Sequence, residues 1–414
     1  MCYTPNMNLE ARHEALISFL LPYQDIWKNE IMLQYPNSLD GYPMAWIEEL
    51  MPWVAPEKTL QLTYDQGWDT LSAELSAFHQ QTQTLCSFPQ LTATRALPTT
   101  PDTWVKIIPK KQHELERLAP ILAEFIKVHR LNDVVDIGGG LGHLAQTLAH
   151  HYHLPVLSLD MDEKLQTAGL RWQAHKWPNS RFPVRYQTHR IDHHDQAFID
   201  LLRPNTLTTG LHTCGGLAVA HLKAAQVAGS ALANMGCCYH KLETSETNLS
   251  QASKERPLPW GLYSLTLASG AHHKVSLDDI IFRNQVKRFR YILHFLLHDH
   301  FGITTPVKLG NADPKSYVGS FADYTREQLS RLNLNYTGTD KALEDFRMEE
   351  SRQLLVEQML AAALIRDQFG RVLESALLVD RALWMKDQGH QVEIGEIFDA
   401  KVSPRNLVLL SWKN

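Results

Sequence analysis

The sequence has no run of about 18 apolar residues, so no membrane-spanning helix is expected. Its opening stretch, MCYTPNMNLEARHE, lacks the basic-then-apolar order of a secretory signal. A cytoplasmic location without a membrane partner is therefore the default expectation. Cysteine is scarce, with five in 414 residues: Cys2, Cys86, Cys214, Cys237 and Cys238. An odd number in a chain of this length favours reduced thiols over a disulfide framework. Cys and His can ligate zinc, but there is no C-x-x-C spacing and no metal ligands are assigned. An excess of positive charge is also missing. Lys and Arg total 40 against 45 Asp and Glu, a formal charge of -5. That excludes the broad basic field on which non-specific nucleic-acid binding draws, while leaving local patches open. Neither an internal repeat nor a recognisable RNA-binding module is present.

With 44% hydrophobic residues, the chain can bury one large core or two to three smaller ones. Residues 1–100 carry helical apolar spacing rich in tryptophan. It runs through Ile17, Leu20 and Leu21, then Ile26, Trp27 and Ile31, then Trp46, Ile47 and Leu50. Pro22, Pro36, Pro43, Pro52 and Pro56 cut it into short helices. Thr92 to Thr103 resembles a linker. Helix and strand patterns then alternate. Helices are expected at 111–129, 142–152 and 217–227, and strands near 133–137, 155–159, 184–190, 206–211 and 230–235. Strands separated by helices imply parallel pairing through crossovers, an open α/β sheet. About 125 polar and helical residues follow, from Glu243 to about Gln368, before SALLVDRALWMKDQG and the β-rich runs QVEIGEIFD and RNLVLLSWK. The short join AKVSPR suits an antiparallel hairpin, because a parallel pair needs a dozen or more residues to cross over. The expected domains are a helical part at 1–100, a first sheet part at 101–245, a largely helical insertion at 246–369 and a closing helix and hairpin at 370–414. A parallel sheet ending in one antiparallel strand resembles the Rossmann-like methyltransferase fold, whereas the dinucleotide fold is usually parallel throughout.

The glycines of VVDIGGGLGHL support the same fold. Asp136, Gly138, Gly140 and Gly142 follow the order acid-x-G-x-G-x-G, unlike the G-x-G-x-x-G dinucleotide fingerprint. In S-adenosylmethionine enzymes this turn lets backbone approach the methionine moiety, which a Cβ would block. The bland alternative is a strand-to-helix turn without a ligand. Asp160 ends the second strand, where an acid can accept hydrogen bonds from both ribose hydroxyls. Asp192, after the third strand, is placed to contact the adenine amino group or to sit in a solvated turn. Lys110, Lys111 and His113 begin the helix before the first strand, where they could reach the cofactor carboxylate or the substrate, or be a solvated helix start.

The strand ends GLHTCGG and NMGCCYHKLE supply the candidate catalytic groups His212, Cys214, Cys238, Tyr239 and His240. Doubly wound sheets place ligands at this carboxyl edge. The Asn/Asp-Pro-Pro-aromatic tetrapeptide with which many amino-methylating enzymes end this strand is missing. A His and Cys constellation could instead provide a general base for a hydroxyl, imidazole or amine nucleophile. Adjacent Cys237 and Cys238 should point to opposite faces of a strand, leaving at least one as packing.

PKKQHE, DIGGGLGHL, LHTCGGL, GCCYHKL, QVKRFR, ALLVDRALWMKDQG and SPRNL occur in this order in a methyltransferase-like family formerly described as ribosomal RNA adenine dimethylase domain-containing. The chain resembles that family over nearly its whole length, including a tryptophan-rich leader, YQDIWKNEIMLQYPNSL. CCYHKL is also similar to the CCHHRC segment of a tRNA ribose 2'-O-methyltransferase family, with Tyr239 in place of a histidine. The resemblance implies an S-adenosylmethionine-dependent methyltransferase acting on a macromolecule, with RNA favoured over protein. The alternative is a scaffold that retains the fold without turnover. Arg283, Lys287, Arg288 and Arg290 lie within two helical turns, and could contact phosphate or form a solvated face.

Overall fold

In the first strand, β1 (Asp133–Ile137), Val134 and Val135 point to opposite sides, and both are buried. A strand apolar on both faces needs cover on both faces, as a parallel sheet has. The computed structural model describes residues 8–98, 104, 106–270, 275–305, 307 and 312–413. Cys2 and the 99–103 portion of the expected linker lie outside them. Within the described residues β1 is joined by β2 (Val156–Asp160), β3 (Arg185–Thr188), β4 (Thr206–Cys214), β5 (Ala231–Cys237), β6 (Gln391–Glu396) and β7 (Leu407–Trp412). They form one seven-stranded sheet in the order β3-β2-β1-β4-β5-β7-β6. The first five are parallel, and β7 runs antiparallel to both β5 and β6. The fold is thus the expected α/β one, with β7 the reversed strand.

One face of the sheet is covered by the helix Pro109–Val128, whose Leu115, Leu118, Leu122 and Phe125 pack with Val134, Leu148, Val408 and Leu410. On the other face, Val135, Ile137, Leu157 and Leu159 meet Phe198, Leu202 and Ala224. Each fully buried Leu or Phe contributes roughly 1.5–3 kcal/mol relative to exposure. A helix not anticipated from the sequence, Glu163–Lys176, separates β2 from β3, with the Asp162 carboxylate accepting from the N–H groups of Lys164 and Leu165 at its start. On the outer side of β6, Leu91 N–H donates to Glu396 C=O and Glu396 N–H to Pro89 C=O, which blunts that edge.

The chain divides into two units, with the leader split between them. The sheet unit comprises 1–21, 84–273 and 370–414, and the second unit comprises 22–83 and 274–369. The leader beyond residue 21 and most of the inserted stretch therefore share one core. Trp27, Ile47, Leu50, Ile292, Phe295, Val356 and Met359 are all buried in it. Among the described residues no helix is long and apolar enough to cross a membrane.

Candidate active site

Three glycines set the geometry at the end of β1. Gly138, Gly140 and Gly142 have φ of +67°, +56° and +75°, a left-handed region costly for residues with a Cβ. Gly142 also caps the helix His143–Tyr152, where an added Cβ would lie 2.5 Å from the Tyr186 hydroxyl. At Gly140 the nearest atoms to such a Cβ are 4.0 Å away, so that side of the turn is clear. Gly140 N–H donates to Asp160 Oδ2 at 2.9 Å, and Asp162 N–H to Asp160 Oδ1 at 2.9 Å. This ties the end of β2 to the turn. Asp136 is buried beneath it, its Oδ2 has no hydrogen-bond partner among the described residues, and burial pushes its carboxyl up to about 7. Asp192 is exposed on the loop after β3, its Oδ1 accepting from His194 N–H at 2.9 Å, which holds its pKa below the ordinary value.

Glu114, the last residue of PKKQHE, is not among the expected site residues, yet it organises the next part of the site. Its side chain is fully buried on the helix Pro109–Val128. It accepts from His212 Nε2 at 2.7 Å and Ser403 Oγ at 2.8 Å, and pairs with Lys111 Nζ at 2.7 Å and Lys110 Nζ at 3.9 Å. Burial alone would raise its pKa, but the bonds from His212 and Lys111 prevail and hold it at about 2. The available signal was an acid four residues before Leu118, on the apolar stripe of the helix. His212 reaches it because β4 is irregular between Leu211 and Thr213, where His212 adopts φ +66°. A carboxylate only accepts, so Nε2 carries the proton and Nδ1 is left as the acceptor nitrogen.

The remaining expected residues are placed differently. His113 Nε2 accepts from Asp399 N–H at 3.1 Å, which turns it toward the β6–β7 connection. Tyr239 is buried, and its hydroxyl donates to Gly236 C=O at 3.2 Å or Glu374 Oε1 at 3.3 Å. His240 is exposed, with its N–H donating to Ser269 Oγ at 3.0 Å. The expectation that Cys237 and Cys238 face opposite ways is corrected. Cys238 lies past the last residue of β5 with φ +48° and ψ +47°, so strand alternation no longer applies. Both sulfurs approach Cys214 Sγ, at 3.2 Å for Cys237 and 3.5 Å for Cys238.

Other residues of the recurring motifs fasten the chain. Asp380 accepts from the N–H groups of Leu249 and Ser250 and from Ser250 Oγ, each at 2.8 Å. Glu374 accepts from Arg371 at 2.7 Å and Arg405 at 3.0 Å. In the second unit, Arg288 forms a two-pronged pair with Glu357, and Lys287 lies 3.9 Å from Asp367. Arg283 is exposed and Arg290 half-buried.

Residues 110–245 match a family described as a methyltransferase domain, which in general depends on S-adenosylmethionine. Over 228 residues the chain is 25% identical to a Mus musculus protein named "Probable methyltransferase-like protein 25", covering 50% of this chain and 37% of that protein. Over 242 residues it is 25% identical to the Homo sapiens protein of the same name, covering 53% and 39%. The match thus spans about two fifths of these relatives. Together with the fold, it gives this part of the chain the architecture of a methyltransferase domain. The residues present fit the family's cofactor: the turn is clear at Gly140, Asp160 stands at the strand end, and Asp136 offers an unpartnered buried oxygen.

Proposed function

We propose that this protein catalyses S-adenosylmethionine-dependent methylation of a protic nucleophile on a macromolecule, with RNA the favoured acceptor. The observation that carries the reading is the 2.7 Å pairing of His212 with buried Glu114, on the same sheet edge as the glycine turn. Gly138, Gly140 and Gly142 would admit the methionine moiety against backbone. Asp160, whose oxygens each retain a second lone pair, would take the ribose hydroxyls. When bound, the cofactor supplies an electrophilic methyl group. His212 Nδ1 receives the proton of the accepting hydroxyl or amine, and Glu114 fixes the tautomer and balances the imidazolium charge. Lys111, held by Glu114, keeps a positive charge near this edge. The preference for RNA rests on the similarity of CCYHKL to a tRNA ribose methyltransferase segment and on exposed Arg283. Arg288, paired with Glu357, contributes less to it.

The test is to incubate the purified protein and cell extract with methyl-labelled cofactor, then digest with ribonuclease or protease. Label released by ribonuclease and resistant to protease is expected; label released only by protease replaces RNA with protein as the acceptor. His212→Ala should retain cofactor binding by calorimetry while transfer falls by about 10²–10⁴-fold. Unchanged transfer would remove His212 as the base. Cofactor binding by the wild type without labelling of any extract would favour the scaffold reading.

A further inference from the structure

We infer that Cys214, Cys237 and Cys238 form a three-thiolate binding site for a thiophilic metal ion, Zn²⁺ foremost. The three sulfurs lie within 4.8 Å of one another. Three thiolates around tetrahedral zinc, with Zn–S bonds near 2.3 Å, stand roughly 3.8 Å apart. The separations of 3.2 and 3.5 Å from Cys214 therefore need only a small outward adjustment. The backbone supplies the convergence: Cys214 and Cys237 are register partners at the ends of neighbouring parallel strands, and the left-handed Cys238 folds back toward them. A spacing rule misses such a set, because two ligands are adjacent in sequence and the third lies on another strand.

A buried cation lies beside the triad. Arg381 is 1% exposed, and none of its three guanidinium nitrogens has a hydrogen-bond partner among the described residues. It lies over the Tyr239 ring at 5.5 Å and interacts electrostatically with Asp380, Glu246 and Cys237. A buried cation without hydrogen bonds calls for nearby negative charge. Three thiolates and a divalent ion carry a net charge of -1, which meets part of that need, whereas three neutral thiols meet none. Lys241 adds positive charge near Cys214 and Cys238. Cys237 is buried, while Cys214 and Cys238 are half-buried, so the fourth coordination position is left to solvent or an incoming ligand. That is the pattern of an exchangeable site rather than a closed structural one.

Binding proceeds as three thiols lose their protons to solvent and three sulfur–zinc bonds form, with no change of oxidation state. The site rests on the thiol geometry and the charges around it, and its readouts need neither cofactor nor acceptor, so it stands or falls apart from the methyltransferase reading. Elemental analysis of the full chain, purified with a thiol reductant and without chelator, should find about one zinc per chain. Cys238→Ser, checked for folding by circular dichroism, should lower zinc affinity at least about tenfold. Stripped wild type loaded with Co²⁺ should develop thiolate-to-cobalt charge-transfer absorption, and zinc should slow alkylation of Cys214 and Cys238 as read by peptide mass spectrometry. The wild-type measurements decide the matter even where the variant does not fold. Failure of stripped wild type to take up zinc or cobalt at micromolar free metal, with alkylation unchanged by zinc, overturns the site. So does ready formation of a Cys214–Cys237 disulfide in air that zinc does not slow.

Discussion

Glu114 and Asp136 are buried carboxyls with opposite electrostatic consequences. Glu114 has three strong partners and a pKa held at about 2, below its ordinary 4.5. A folded-state value below the unfolded one adds stability above about pH 4.5, which is lost as pH falls toward the folded value. Asp136 is pushed by burial from 3.8 to about 7, so its contribution becomes less favourable as pH rises through that window. Glu114→Gln should therefore cost on the order of 3 kcal/mol at neutral pH and flatten the acid limb of the stability curve. Urea unfolding at pH 7 and at pH 3.5 checks this. The gap between wild type and variant must shrink at the lower pH, and a constant gap would mean that Glu114 acts by packing rather than charge.

At the scale of elements, the glycine turn is constrained by both backbone and space. Gly142 combines φ +75° with a Tyr186 hydroxyl that donates to Leu141 C=O at 3.3 Å and accepts from Gln146 Nε2 at 2.7 Å. Gly229, which caps the helix Gly216–Ala228, has a similar φ of +65° but, among the described residues, no atom within 4 Å of an added Cβ. The pair separates conformational strain from steric conflict. Gly229→Ala should cost about 1 kcal/mol, and Gly142→Ala roughly 1–3 kcal/mol more as Tyr186 is displaced. Denaturant midpoints at constant slope measure both. Equal costs would show that Tyr186 moves freely and that the turn is limited by φ alone.

The whole sheet is assembled from segments far apart in sequence. The family match ends at residue 245, after five strands, and the structure completes the sheet with residues 370–414. A chain ending at residue 245 would leave Leu232, Ala233 and Asn234 of β5 without their β7 partners, and Tyr239 without Glu374. An unpaired apolar edge invites association. That fragment should elute as aggregate in size exclusion and lack a cooperative thermal transition, whereas the full chain shows one. A monomeric fragment with cooperative unfolding would show that the hairpin is dispensable to the fold.

The sequence by itself determined the features that local pattern controls. Strands separated by helical patterns required parallel pairing through crossovers, the short AKVSPR join required an antiparallel return, and Gly138, Gly140 and Gly142 marked a turn with close backbone approach. These features depend on backbone sterics and on periodicity over a few residues. What it could not determine depends on convergence between distant segments. Glu114 joins His212 and Ser403, 98 and 289 residues away, and neither PKKQHE nor its place on an apolar stripe tells which partners it meets. The thiol triad required the left-handed turn at Cys238, which reverses the alternation that a strand imposes. Tyr239 and Arg381, far apart in the chain, are buried together, with the guanidinium 5.5 Å from the ring centroid. Tertiary structure decided these placements because burial turns an ionic or polar group from a neutral surface feature into one that must find its partners, wherever in the chain they lie.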